Sequence, residues 1–315
     1  MAQTNPPQLL RAPYQSTVDN LERDYFLYLP KGYTQKTASK WPVLIFLHGD
    51  GQRGDGKADL DFVLDSGPLY EAWIQKRDLP FIMIVPQLPM FGLDGEHGPD
   101  YLRNRTRDGI PRRQDQGVPP RSADMPAREL SGPMRGAVAG KPLPVESELA
   151  LLENVGWRKT DPDLINILDS VLAAYRADPQ RVYLTGSSMG GSGVNYFASE
   201  YPDRFAAILS VVGFPLMDQA EAIARARIPA WYFSGGRDPE VKTEYFFATL
   251  NRMEELGSLM RFTTEQDMFH DVWNRVFARQ DVYDWLLQYT APAGPARGES
   301  TESAPFRAVA NRKME

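Results

Sequence analysis

The sequence predicts an α/β fold with a mostly parallel central sheet, helices on both faces and one long insertion. Three observations carry this. Residues 42–49 and 79–85 are continuous apolar runs rich in branched side chains, the mark of strands covered on both faces. Downstream of residue 160, short strand-like runs alternate with stretches of helical periodicity, as parallel sheets require. Finally, 315 residues with 42% hydrophobic content suffice for a large core.

Taken in order, the polar, Pro-rich first dozen residues read as a loose arm. Residues 24–30 read as a strand stopped by Pro30, followed by the runs at 42–49 and 79–85, the latter stopped by Pro86. Residues 88–156 are dense in Gly, Pro and Arg with little periodicity, and segments of this length inside compact domains are commonly lids or binding loops. A helix is expected from Asp161, with Asp161 as N-cap and Pro162 in the first turn. Leu164, Ile167, Leu168, Val171 and Leu172 recur along it at helical spacing. Strands are expected at 181–186, 206–212, 228–234 and 260–264, with helices at 189–200, 240–256 and 276–289. Residues 1–290 therefore read as one domain carrying the 88–156 insertion, and residues 291–315 as a flexible tail poor in core-forming residues.

Composition removes several classes of function. A formal net charge of -6 does not suit nucleic-acid binding, so no nucleic-acid partner is expected. The absence of cysteine excludes disulfides, thiolate metal sites and a cysteine nucleophile. No run approaches the roughly 20 apolar residues of a membrane span. The start lacks the basic region and apolar core of a secretory signal. A mature secreted or periplasmic chain is preferred over a cytoplasmic one.

The chemistry concentrates in Gly186-Ser187-Ser188-Met189-Gly190, a G-x-S-x-G pentapeptide with a strand running into it and a helix leaving it. That context is what a nucleophile elbow needs: a tight turn exposes the serine hydroxyl, and small flanking residues let strand and helix nearly touch. Ser188 occupies the nucleophile position. A serine hydroxyl needs a base, and in this arrangement the acid and then the histidine follow the serine in the chain. Of three histidines, His48 and His97 precede Ser188, leaving His270 as the base. The acid should follow a late strand, and Asp238 in Gly235-Gly236-Arg237-Asp238 fits, with Glu240 and then Asp267 as alternatives. An oxyanion hole would draw one backbone N–H from Met189. The other would come from the glycine-rich loop His48-Gly49-Asp50-Gly51-Gln52-Arg53-Gly54, from Asp50 or secondarily Gly51. His48 reads as orienting this loop. Three scattered histidines give no metal-site spacing, so no metal is expected.

These pieces resemble the bacterial phospholipase/carboxylesterase and predicted-peptidase group of α/β-hydrolases, relatives of feruloyl esterases and polyhydroxybutyrate depolymerases. The matching segments are Tyr28-Leu29-Pro30-Lys31-Gly32-Tyr33, the run from Trp41 to Gly54, Val85-Pro86-Gln87, and Asp178 through Gly186. They continue with Ser188-Met189-Gly190-Gly191, Tyr201 through Ala207, Ser234 through Asp238, and His270-Asp271-Val272-Trp273. The sequence departs from the group at Gln52, where an acidic residue is usual beside Arg53, and in the length of the insertion. The resemblance implies an α/β-hydrolase fold and carboxylic-ester hydrolysis by Ser188, Asp238 and His270, without metal or organic cofactor. Feruloyl, other aromatic or short-chain acyl esters, small or polymer-linked, are the substrates it suggests. Trp157, Phe214 and Trp273 are candidate walls of the substrate pocket. Among Arg103, Arg105, Arg107, Arg112 and Arg113 of the insertion, some are candidates for binding an acidic or polyphenolic substrate. A serine peptidase of the same fold and a non-catalytic binding protein are the alternatives.

Overall fold

The computed structural model describes residues 5–34, 38–115, 117–118, 120–130 and 156–292. The expected tail from residue 293 onward and residues 131–155 of the insertion lie outside the described residues. Among the described residues, nine strands form one sheet in the order β1-β2-β4-β3-β6-β7-β8-β9-β5. They are β1 (Gln8–Gln15), β2 (Glu22–Leu29), β3 (Trp41–Leu47), β4 (Ile82–Val85) and β5 (Ala127–Leu130). The remainder are β6 (Ala177–Ser187), β7 (Ala207–Val211), β8 (Ala230–Gly235) and β9 (Met260–Glu265). Strands β4, β3, β6, β7, β8 and β9 run parallel in that spatial order, while β1, β2 and β5 pair antiparallel at the two ends.

The apolar run in β3 explains why this sheet is sandwiched. Every residue of β3 is buried, and successive side chains point to opposite faces. Val43, Ile45 and Leu47 join one core, Leu44 and Phe46 the other. Helices α2 (Asp161–Ala174) and α3 (Met189–Glu200) cover the first face through Leu164, Ile167, Leu168, Val194 and Phe197. Helices α6 (Trp273–Ala278) and α7 (Gln280–Leu286) cover the second through Val276, Phe277, Val282 and Leu286. Each such Val, Leu or Phe contributes about 1.5–3 kcal/mol by leaving water. Helices α4 (Met217–Arg225) and α5 (Phe247–Glu255) join the first face through Ala220, Ile223, Leu250 and Met253. No helix among the described residues is long and apolar enough to cross a membrane.

Several expected elements need correction. The N-terminal arm is strand β1, whose alternating exposure marks a half-covered edge; its Pro13 is tolerated because an edge strand can leave one side unpaired. Asp161 lies inside α2, and Thr160 takes the N-cap position. The helix expected from residue 240 starts only at a 3-10 turn at Thr243, because the Asp238 carboxylate takes the N–H groups of Glu240 and Val241 and holds that stretch in a turn. The helix expected at 276–289 is two helices divided at Arg279, which is extended. The insertion is not wholly irregular: it contributes a single helical turn, α1 (Asp100–Arg103), and strand β5 on the free edge of β9.

A buried charge cluster ties the insertion to this edge. Glu265, at the end of β9, is fully buried and receives Arg121 of the insertion (2.6 and 2.7 Å), Arg275 (3.2 Å) and Arg279 (3.1 Å). Burial alone would raise the Glu265 carboxyl, but the arginines outweigh it, and the net shift is below the ordinary value of 4.5. A folded value that is depressed stabilises the fold above the ordinary glutamate range, and this contribution fades as the pH drops through the lower, folded value. Urea denaturation at pH 7, 4.5 and 3 is expected to show falling stability, and Glu265→Gln to lower the pH 7 midpoint and flatten this acid limb. An unchanged limb in the variant would place the acid sensitivity elsewhere.

Candidate active site

Ser188 lies on the turn between β6 and α3 with φ 54° and ψ -120°, a region that L-residues rarely occupy. The turn is held by the Ser188 N–H on the Val211 carbonyl (2.9 Å). The small flanking residues are obligatory. A Cβ on Gly190 would stand 1.8 Å from the Leu47 carbonyl oxygen, and one on Gly186 2.4 Å from that of Gly190. The Ser188 hydroxyl meets His270 Nε2 at 2.8 Å.

His270 follows β9, and its Nδ1 lies 2.7 Å from Asp238 Oδ2. Asp238 follows β8 and its side chain is fully buried. Its other oxygen accepts the N–H groups of Glu240 (2.8 Å) and Val241 (3.0 Å), so the carboxylate can turn only one oxygen to the imidazole. These bonds fix the tautomer: Nδ1 carries the proton, donated to the carboxylate, and Nε2 is left to accept the serine proton. Gly235 and Gly236 let the two loops close on each other, with the Gly236 N–H on the Glu265 carbonyl and the Arg237 N–H on that of Met268, both 2.9 Å. The alternatives stand apart. Glu240 is exposed, 3.7 Å from His270 Nε2, and Asp267 is engaged by Arg275 and the Ser122 N–H, holding its carboxyl down near 2.

The loop 48–54 passes beside Ser188: a Cβ on Gly49 would contact Ser188 Cβ at 3.4 Å. Asp50 opens a 3-10 turn, Asp50–Gln52, and Met189 opens α3. The first N–H groups of a helical turn have no partner inside it, which suits both residues to an anion. Gly51 sits on the same turn. His48 is fully buried; its Nε2 accepts the Leu88 N–H (2.9 Å), so its Nδ1–H donates to the Gly49 carbonyl (2.6 Å). Burial pushes this imidazole down to about 3, keeping it neutral. The role of Gln87, unassigned from sequence, is to brace the loop: it donates to the carbonyls of Gln52 (2.8 Å) and Asp59 (2.7 Å) and accepts the Gly56 N–H (2.9 Å). Although Gln52 lacks a carboxylate, Arg53 finds one in Asp50.

Of the candidate pocket walls, Trp273 packs edge-on to His270 with ring centroids 5.2 Å apart, and Phe214 is half-buried against Tyr245 and Phe246. Trp157 is corrected. At 2% exposure it has almost no surface for a ligand, because its indole packs on His48 and donates to the His48 carbonyl (3.1 Å). The insertion arginines are largely committed as well: Arg105 and Arg107 pair with Asp59, Arg103 with Asp100 and Arg113 with Asp115. A cavity of about 510 Å³ lined by Arg23, Asp59, Phe62 and Arg105 does not include Ser188, Asp238 or His270 in its wall.

A solved structure of a thermostable esterase superposes with a TM-score of 0.59 at 22% identity, over 90% of this chain and 63% of that one. The fold is that of the α/β-hydrolases. Residues 158–268, which run from α2 through the elbow to β9, match the model of the prolyl oligopeptidase family. Acetylxylan esterase A from Emericella nidulans is 37% identical over 71 residues, 22% of this chain and 23% of that protein. Feruloyl esterase B from Talaromyces funiculosus is 42% identical over 52 residues, 16% of this chain and 15% of that protein. Each of these two matches thus spans less than a quarter of the relative's length.

Proposed function

We propose that this α/β-hydrolase is a serine carboxylic-ester hydrolase that uses Ser188, His270 and Asp238 as its triad. The observation that carries the reading is the continuous relay from Ser188 Oγ through His270 (2.8 Å) to Asp238 (2.7 Å). In the proposed reaction Nε2 of His270 takes the hydroxyl proton as Ser188 attacks the ester carbonyl. The N–H groups of Met189 and Asp50, with Gly51 beside them, hold the tetrahedral oxyanion. His270 then protonates the departing alcohol. A water activated by the same nitrogen releases the acid and restores Ser188, while Asp238 stabilises the imidazolium. The stretches shared with an acetylxylan and a feruloyl esterase favour acetyl and feruloyl esters as the first substrates to try.

The match of residues 158–268 to the prolyl oligopeptidase family favours one second reading, a peptidase using the same residues. Turnover of p-nitrophenyl acetate, methyl ferulate and a peptide p-nitroanilide separates the two. Labelling with a fluorophosphonate, followed by peptide mass analysis, locates the nucleophile. The expected result is turnover of the esters well above the anilide and a label on Ser188. Anilide turnover at the ester rate would favour the peptidase, and no turnover or labelling would leave only a binding protein.

A further inference from the structure

We infer that Arg105 and Tyr101, both on the insertion, are positioning residues that hold the oxyanion loop in its working conformation. The inference rests on the ester-hydrolase reading above. Three separate bonds reach the loop from a span of five residues. The Tyr101 hydroxyl donates to Asp50 Oδ2, while the buried Arg53 takes Oδ1, so the Asp50 carboxylate is gripped from both sides. Arg105 donates to the carbonyls of Gly51 (3.3 Å) and Arg53. The Arg105 side chain is itself fixed by Asp59 at 2.9 Å and by the Phe62 ring, 4.0 Å from its guanidinium.

The consequence concerns where the N–H of Asp50 points. A carbonyl held by a guanidinium fixes its own peptide plane; the Gly51 carbonyl belongs to the Gly51–Gln52 peptide, two planes on from the Gly49–Asp50 peptide that carries the Asp50 N–H, and the grip on the Asp50 carboxylate holds the residue between them. Gly51 has no heavy atom within 4 Å of a Cβ position, so packing does little to fix this turn. Hydrogen bonds must supply the rigidity that an oxyanion hole needs, since its donors have to be in place before charge develops. Neither residue touches the reacting atoms; both act through the loop.

The test compares Arg105→Ala, Tyr101→Phe and Arg107→Ala with the wild-type protein, using p-nitrophenyl acetate and an alkyl trifluoromethyl ketone whose serine adduct carries a hemiketal oxyanion. Arg105→Ala is expected to lower kcat about 10–100-fold, less than the ~10²–10³-fold loss of an oxyanion donor itself. Tyr101→Phe, which removes one hydroxyl from the surface, should lower it about 3–10-fold. KM should stay within about twofold, and the ketone inhibition constant should rise as kcat/KM falls, because transition-state binding is what has been lost. Arg107→Ala breaks the other pair to Asp59, at 2.8 Å, and should keep wild-type kcat.

A folded Arg105→Ala with wild-type kcat, or with reduced kcat and unchanged ketone affinity, would overturn the inference. So would an Arg107→Ala loss equal to that of Arg105→Ala, which would assign the effect to Asp59. Should Arg105→Ala fail to fold, Tyr101→Phe decides alone, and wild-type kcat and ketone affinity in it would overturn the clamp. A wild-type protein that neither turns over the ester nor binds the ketone would instead overturn the hydrolase reading, and this inference with it.

Discussion

Ser188→Ala is expected to lower kcat on p-nitrophenyl acetate by about 10⁶-fold, leaving only the residual acceleration of binding and the oxyanion hole. Asp238→Asn is expected to cost about 10⁴-fold, because an amide facing Nδ1 favours the wrong imidazole tautomer. Glu240→Gln provides the contrast. Its carboxylate is solvated and stands 3.7 Å from Nε2, a distance at which a unit charge in water is worth about 1 kcal/mol, so a change below about tenfold is expected. Steady-state kinetics on the three variants, with melting temperatures to establish folding, check this ranking. Equal losses in Asp238→Asn and Glu240→Gln would reassign the acid, and an active Ser188→Ala would remove the nucleophile from the scheme.

The second large effect is on stability. In Gly190→Ala the new methyl would lie 1.8 Å from the oxygen and 2.4 Å from the carbon of the Leu47 carbonyl, and 2.7 Å from the His48 carbonyl oxygen. All three atoms are backbone at the end of β3, in the middle of the sheet, and cannot rotate away as a side chain would. Overpacking of this kind costs on the order of 3 kcal/mol, or roughly 4–5 °C in melting temperature for a chain of this size. Activity should fall as well, because relief of the clash moves α3, and Ser188 with it, away from the 48–54 loop. Gly51→Ala is the control for stability: with nothing within 4 Å, its melting temperature should match that of the wild type. Thermal denaturation followed by circular dichroism measures both, and a Gly190→Ala melt at the wild-type temperature would mean that β3 and α3 can separate freely.

What could be read from the sequence follows from where the information is local. The strand-to-helix turn at Ser188 announces itself through glycine spacing and the change of periodicity across it. His270 was singled out by chain order among three histidines, and the structure brings it to Ser188 and Asp238. Strand β3 was legible because burial on both faces requires an unbroken apolar run. The elements missed lack such signatures. Strand β1 is half exposed and contains a proline, and β5 is four residues within an Arg-rich stretch, recognisable only through its partner β9. The contacts of Tyr101 and Arg105 to the 48–54 loop join positions about fifty residues apart in an aperiodic segment. Nothing in their local sequence distinguishes them from solvated polar residues. Trp157 was misplaced for a related reason: an aromatic next to a helix start looks the same whether it faces solvent or, as here, closes over His48.

Strand β5 also bears on what the edge of the sheet presents to other chains. Without it, β9 would end the sheet with a row of unsatisfied amide and carbonyl groups, an invitation to add a strand from another chain. The insertion supplies its own cover, four residues long, pinned beside Glu265 by Arg121 and carrying Arg128 and Glu129. A short, charged rim makes a poor template for intermolecular pairing. The insertion thus contacts the 48–54 loop at one end and caps the edge of the sheet at the other.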